Sequence, residues 1–334
     1  MRKIARFVVS KRIPILVIGL VLTVACAVMA FFVNINYDLT AYLPKDFHTS
    51  KAIAIMNDEF GDVTDISVVF KGIDSDTANV IYADLMKQDG VVSVQYTADD
   101  PSYVKDGYTR FAVVVGYNTY SEEAMSVINA IRSDYSDYEL YISGAAVENE
   151  TSDKTLSIAI AIAFAILLAI LFIASSSWFD PVVYLITIGI AVIINMGTNI
   201  FLGSISSLTN SVAAILQLVL SMDYSIMLMN RFRRERQNGI DKETALVDAL
   251  AGGARSILGS AATTIVGLLC LVFMNFTIGV DMGVVLAKGV VISLISVFTV
   301  LPGLIILFDK PLLKGMKKRS KFSKFFDSEI SAEV

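Results

Sequence analysis

Long runs almost free of charge dominate this sequence. Six blocks can be marked, at about 13–33, 155–174, 181–203, 207–230, 256–276 and 284–308. About 20 consecutive apolar residues are what a helix needs to cross the hydrocarbon core of a bilayer. Within that core the backbone must satisfy its own hydrogen bonds, which leaves helices as the natural spanning element. The chain is therefore expected to be an α-helical polytopic membrane protein with six transmembrane helices. Its 55% hydrophobic and 18% charged residues exclude a soluble enzyme and a disordered chain alike. The net charge of −5 leaves no footprint of a nucleic-acid binder. Cys26 and Cys270 both lie in apolar runs, so no disulfide framework is expected.

The basic residues orient the spans. Five lie in residues 1–12, six in 231–255 and seven from Lys310 onward, together 18 of the 27 in the chain. Six crossings put all three clusters on one side, which the positive-inside rule makes cytoplasmic. Both termini are then cytoplasmic, in a multi-pass protein of the plasma membrane. The expected organisation is a cytoplasmic amphipathic segment (1–12), a first span (13–33), an extracytoplasmic domain (34–154), a five-span bundle (155–310) with a cytoplasmic loop (231–255), and a basic tail (311–334). The first apolar run, about 20 residues, exceeds a signal-peptide core, so it is expected to remain as an anchor. Ile4, Phe7 and Val8 share a face opposite basic residues, as in an interfacial helix. Residues 240–253 have the pattern of a separate cytoplasmic amphipathic helix, and the tail mixes basic residues with Phe322, Phe325 and Phe326.

The stretch 34–154 carries 8 basic and 21 acidic residues and has the pattern of a folded domain. Asp65–Lys71, Val91–Tyr96, Tyr108–Tyr117 and Glu139–Ser143 alternate as strands. Asp76–Lys87 has helical spacing, and Ser121 is placed to cap a second helix ending near Arg132. The order β-α-β-β-α-β predicts an α+β, ferredoxin-like domain between the first and second spans.

Ionisable residues inside spans cost about 2.5–3.5 kcal/mol each on insertion scales, so each needs a reason. Asp223 lies in the fourth span, about seven residues before the basic run Arg231, Arg233, Arg234 and Arg236. That places it ~10 Å inside the cytoplasmic boundary. Burial raises a carboxyl's pKa, so a group neutral when dry and ionised when wet is suited to carry protons. Tyr224 offers a hydroxyl beside it. Asn210, Gln217 and Tyr224, seven apart, form a polar stripe about 100° around the helix from Asp223. Ser256, Ser260, Thr263, Thr264 and Gly267 give the fifth span a side of small residues, suited to close helix packing or to a polar lining. Asn195 and Asn199 repeat the polar spacing in the third span. Lys288, in the outer part of the sixth span, is expected to snorkel outward toward Asp281. No metal cluster, nucleophile elbow or GxxxxGK[ST] is found, so neither catalysis nor Walker-type ATP hydrolysis is expected and no cofactor is implied.

The order of one span, an outside domain and five further spans resembles one half of a transporter of the RND superfamily, in its MMPL branch. Leu43–Gly61 (LPKDFHTSKAIAIMNDEFG) is similar to the family's motif after the first span, and Ile142–Glu150 (ISGAAVENE) to the stretch before the second. Met222–Arg236 (MDYSIMLMNRFRRER) resembles the fourth-span Asp-Tyr element with its basic exit, and Gly283–Pro302 the sixth-span signature ending in Leu-Pro. The resemblance implies that Asp223 and Tyr224 form a proton relay and that the outside domain is a porter for lipids or other hydrophobic molecules. Full transporters have two such repeats, with Asp-Tyr pairs meeting at the centre. A single repeat implies a second copy, a separately encoded partner half, or a piece of a longer protein. A two-fold axis would set Asp223 against Tyr224 of the second copy.

Proton-driven export of hydrophobic molecules by a half-transporter is the function these features favour, with the proton gradient as energy source. An accessory subunit of Sec-type protein export and a non-pumping lipid- or sterol-sensing receptor are the alternatives.

Overall fold

A computed structural model describes residues 1–314 apart from Asp62, Asp99 and Ser176. The greater part of the expected basic tail, with its three phenylalanines, lies outside the described residues. In chain order the elements are α1 (Arg2–Ser10), α2 (Arg12–Ala30), β1 (Asn34–Asn36), α3 (His48–Phe60), β2 (Thr64–Lys71), α4 (Ser75–Leu85), β3 (Val91–Gln95), β4 (Val104–Lys105), β5 (Tyr108–Val115), α5 (Glu122–Asp134) and β6 (Leu140–Gly144). Then come α6 (Ala145–Ala174), α7 (Asp180–Gly197), β7 (Ser204–Ser206), α8 (Ser207–Gln237), α9 (Lys242–Leu269), α10 (Ile278–Leu307) and α11 (Asp309–Lys314). Two compact units emerge, one of residues 1–44 and 160–334, the other Lys45–Ala159.

In the second unit the strands are ordered β3-β5-β2-β6, all neighbours antiparallel, with β4 hairpinned onto β5. Strand β2 alternates buried and more open positions, sending Ile66, Val68 and Phe70 to one face. Ala78, Ile81 and Leu85 of α4 and Ile128 and Ile131 of α5 close over that face, so the core is a single layer between sheet and helices. Ser121 caps α5 by accepting from Ala124 N. Arg132 and Lys154 converge on Glu150 at 3.0 and 2.6 Å; hydrogen bonds from Lys154, then Arg132, hold its carboxyl below the usual range. The stretch 48–60, noted in the sequence as a motif only, is the helix α3.

The other unit is a helical bundle around α10, the most enclosed of its helices. Among the described residues five helical stretches are long and apolar enough to cross a membrane: Arg12–Ala30, Asp180–Leu202, Ser207–Gln237, Lys242–Phe273 and Ile278–Leu307. The expected second span corresponds to a shorter apolar run, Ser157–Ile173, within α6. Several boundaries differ from those expected. The amphipathic helix placed at 240–253 is no separate element; it is continuous with the fifth span as α9, capped by Asp241, which accepts from Glu243 N and Thr244 N. The third span leaves α-geometry at Gly197 and continues as a 3-10 turn over Thr198–Leu202. In α1 the buried side chains are Ala5, Val8 and Val9, while Ile4 and Phe7 stay exposed, so the chain covers only one edge of the apolar face. Arg2 and Arg12 tie this end to Asp248 and Glu243 of α9, both at 2.8 Å.

At the opposite end, β1 pairs in parallel with β7, Asn34 to Ser204 through Asn36 to Ser206. Ser206 caps α8 by accepting from Thr209 N. Asp281 of α10 completes this corner, accepting from Ser206 N at 2.8 Å and Thr209 Oγ1 at 2.7 Å. An anion at a helix N-terminus faces unsatisfied N–H groups, which stabilises this joint.

A close crossing lies at Gly197. A Cβ there would lie 2.1 Å from the Cys26 carbonyl oxygen, so α2 and α7 approach backbone to backbone. Gly197→Ala must part the two helices. The expected loss is about 1–3 kcal/mol, as for other overpacked positions, and thermal unfolding in detergent measures it; an unchanged midpoint would show that the crossing is looser than its geometry.

Candidate functional site

Helix α8 places the candidate residues. Val219, Asp223 and Met227, four apart, make an exposed line along it, whereas Ala213, Gln217, Ser221 and Ser225 make a buried one. Asp223 therefore lies on the outer surface of the single-chain bundle. Tyr224, one residue on, turns about 100° and is buried at 3% exposure in the cluster of Tyr184, Leu228 and Phe232. The two residues of the Asp-Tyr element thus serve different faces. Within the single chain Tyr224 is enclosed, so a meeting with Asp223 of a second copy would require the helices around it to repack.

The polar stripe divides in the same way. Gln217 is buried at 1% and Asn210 is half-buried. Gln217 Nε2 donates to Gly289 O and Ser293 Oγ, both at 3.0 Å, and Gln217 Oε1 accepts from Asn195 Nδ2 at 2.9 Å. These bonds join α7, α8 and α10 through the middle of the bundle. A Cβ on Gly289 would sit 2.8 Å from Asn195 Nδ2, so only glycine leaves room for the network. Ser221 Oγ donates to Gln217 O at 2.5 Å and extends it by a turn. A buried amide that loses its partner costs about 1–3 kcal/mol, so the network fixes these three helices relative to one another.

Lys288 does not reach toward Asp281, which is engaged by Ser206 and Thr209. Its ammonium turns instead to the end of α7, donating to Asn195 O at 3.2 Å, Thr198 Oγ1 at 3.0 Å and Asn199 Oδ1 at 2.6 Å. The carboxylate was satisfied by the neighbouring helix start, which left α7 as the nearer source of acceptors. On α9 the small side is open: Ser256, Ser260, Thr263 and Gly267 are exposed and Thr264 half-buried. The hydroxyls of Thr263 and Thr264 bond back to Ser260 O at 2.6 and 3.2 Å, satisfied within their own helix.

One pair went unseen in the sequence. Arg233 Nη2 of α8 meets Asp180 Oδ1 at the start of α7 at 2.5 Å, with side-chain exposures of 16% and 1%. Asp180 Oδ2 also accepts from Ser177 N at 3.0 Å. Four arginine positions crowd 231–236, and nothing local distinguishes the one that reaches Asp180. Among the described residues no group of three or more His, Cys, Asp or Glu could hold a metal ion.

A carboxyl on the open face of an apolar helix and a buried polar network beside it are the chemistry this bundle offers. The sequence model of the MMPL family matches residues 41–329. The chain belongs to the MMPL family.

Relatives of this MMPL protein include the putative membrane protein YdgH of Bacillus subtilis, 27% identical over 83% of this chain and 34% of YdgH. The putative membrane protein MJ1562 of Methanocaldococcus jannaschii is 25% identical over 95% of this chain and 97% of its own length. The siderophore exporter MmpL5 of Mycobacterium tuberculosis is 25% identical over 50% of this chain and 18% of MmpL5. The MMPL chain thus spans about a third of YdgH but nearly all of MJ1562. In fold it is similar to the crystal structure of SecDF, a translocon-associated membrane protein, from Thermus thermophilus, with a TM-score of 0.51 and 14% identity over 90% of this chain and 38% of that one.

Proposed function

We propose that this MMPL protein is half of a proton-driven exporter of lipids or other hydrophobic molecules, working in the plasma membrane as a pair with a second copy or a separately encoded half. The observation that carries the reading is Asp223, exposed on a membrane-length helix between Val219 at 42% and Met227 at 39%. A lone carboxylate in that setting is unfavourable by about 2.5–3.5 kcal/mol, so it must take up a proton, meet water or be covered by a partner. The first of those states is neutral, whereas the second leaves the carboxylate charged. A helix face whose burial depends on protonation is what couples a proton to a change of packing. The exposed small residues Ser256, Ser260 and Thr263 on α9 support a partner helix close by. In this reading Asp223 exchanges the proton at the seam, and Tyr224, inside the chain, positions the helix that carries it. Gln217, Asn210 and Lys288 support the bundle, and Ser260, Thr263 and Thr264 lie toward the seam. The unit Lys45–Ala159 is the porter, on the outer side.

Reconstitution of the purified protein in vesicles tests this. Movement of a fluorescent phospholipid or hydrophobic dye should follow an imposed pH gradient and stop with a protonophore, and native mass spectrometry should report two halves. Gradient-independent flux overturns the proton reading, and a monomer that still transports overturns the pairing. The SecDF-like fold favours a second reading, an accessory subunit of protein export. Co-purification with a translocon channel, together with a secretion defect on deletion and no lipid flux, would transfer the conclusion to it.

A further inference from the structure

Lys288 is the cation at the heart of the outer half of the bundle. An ammonium has three N–H donors and no acceptor, and here all three are used, on a backbone carbonyl (Asn195), a hydroxyl (Thr198) and an amide oxygen (Asn199). Every one of these oxygens is neutral. Among the described residues no carboxylate lies within ion-pairing distance of Nζ, Asp281 being committed to the start of α8. The oxygens come from where α7 gives up its α-helical geometry, between Gly197 and the 3-10 turn, at the negative end of the helix dipole. Asn195 also holds a buried side-chain oxygen, Oδ1, with no hydrogen-bond partner among the described residues; Asn195 is 1% exposed. Carbonyl, hydroxyl and amide oxygens at a broken helix C-terminus are the ligands by which membrane transporters hold small monovalent cations.

We infer that Lys288 is a tethered cation filling an oxygen cage that would otherwise take Na⁺, and that its presence leaves H⁺ as the coupling ion. The consequence for transport rests on the ion-driven reading above; the cage itself does not. A side chain that carries the positive charge in place cannot leave the site, so the cage holds α7 to α10 without exchanging an ion with either side. The geometry also explains why the side chain points inward although α10 begins only ten residues earlier. The cage supplies three bonds that an outward ammonium would have to find in water.

The test uses the full chain in detergent and no transport assay. Thermal unfolding is compared in NaCl and in choline chloride at equal ionic strength, for the natural protein, Lys288→Ala and Lys288→Ser. The natural protein should unfold at the same temperature in both salts. Both variants should be destabilised in choline and recover by about 3–5 °C when Na⁺ stands at a hundredfold excess over its Kd. Adding Asn199→Leu should remove that recovery, and Lys288→Arg should show none. Folded yield in the two salts is the readout for a variant too unstable to purify. No Na⁺ effect on either variant, whether it folds or not, overturns the cage, as does Na⁺ stabilisation of the natural protein. A sodium response in the variants alongside absent proton-driven flux in the natural protein would instead retain the cage and remove the exporter.

Discussion

Asp223→Asn is expected to reduce gradient-driven flux to that of empty vesicles while leaving insertion and folding intact. Asparagine keeps the shape of the side chain and loses only the ability to gain and release a proton. Among the described residues Asp223 makes no hydrogen bond or ion pair that the change would break, and it is exposed. Stability should therefore move by no more than about 0.5 kcal/mol, the range of surface changes away from special features. Flux and stability separate the two roles a carboxyl could have. A variant that unfolds earlier and transports in proportion to its folded fraction would make Asp223 a packing residue. A stable variant with unchanged proton-coupled flux would remove it from the mechanism. Tyr224→Phe is the companion measurement. The ring stays in the cluster with Tyr184 and Leu228, so a loss of flux at constant stability would assign the hydroxyl itself.

The sequence exposes much of this fold because its strongest signals are local. Apolar length marks α2, α7, α8 and α10, and alternation marks β2 and β5 to within a residue or two. Ser121 and its helix are likewise visible, since a cap and its acceptor lie three residues apart. What escaped depends on distance along the chain. The continuity of α9 from Lys242 was missed because its polar first turns and apolar remainder resemble two elements, and only Asp241 marks the start. The parallel contact of β1 with β7 joins segments 170 residues apart, through three residues each. At the site, the chemical type of each residue was legible and its partner was not. Asp281 is the nearest carboxylate to Lys288 along its own helix, yet it is held by Ser206 and Thr209, and the ammonium by α7. Adjacency in sequence pairs Tyr224 with Asp223, but successive helical residues point about 100° apart.

Breaking the Asp180–Arg233 pair is expected to be the most destabilising change in the bundle. The pair is enclosed, with Asp180 at 1% exposure and Arg233 at 16%, and it fastens the first turn of α7 to the last turns of α8. Asp180→Ala leaves a guanidinium in a site built for a neutralised one, and the loss should be about 3–5 kcal/mol, as for other buried pairs deprived of one partner. Arg233→Met strands the carboxylate instead and should cost a similar amount. The decisive measurement is the double variant. Much of each single loss is the penalty of an unpaired charge, so removing both charges should be milder than the sum of the single changes by more than about 1 kcal/mol. Thermal unfolding of the four proteins in detergent closes that cycle. Additive losses would mean that the two residues act separately, Asp180 through the N-terminus of α7, where its other oxygen accepts from Ser177 N, and Arg233 through packing. A coupled result would place a charge-dependent clamp at the same end of α8 as the basic run, where a change of packing around Asp223 would have to move it or pivot about it.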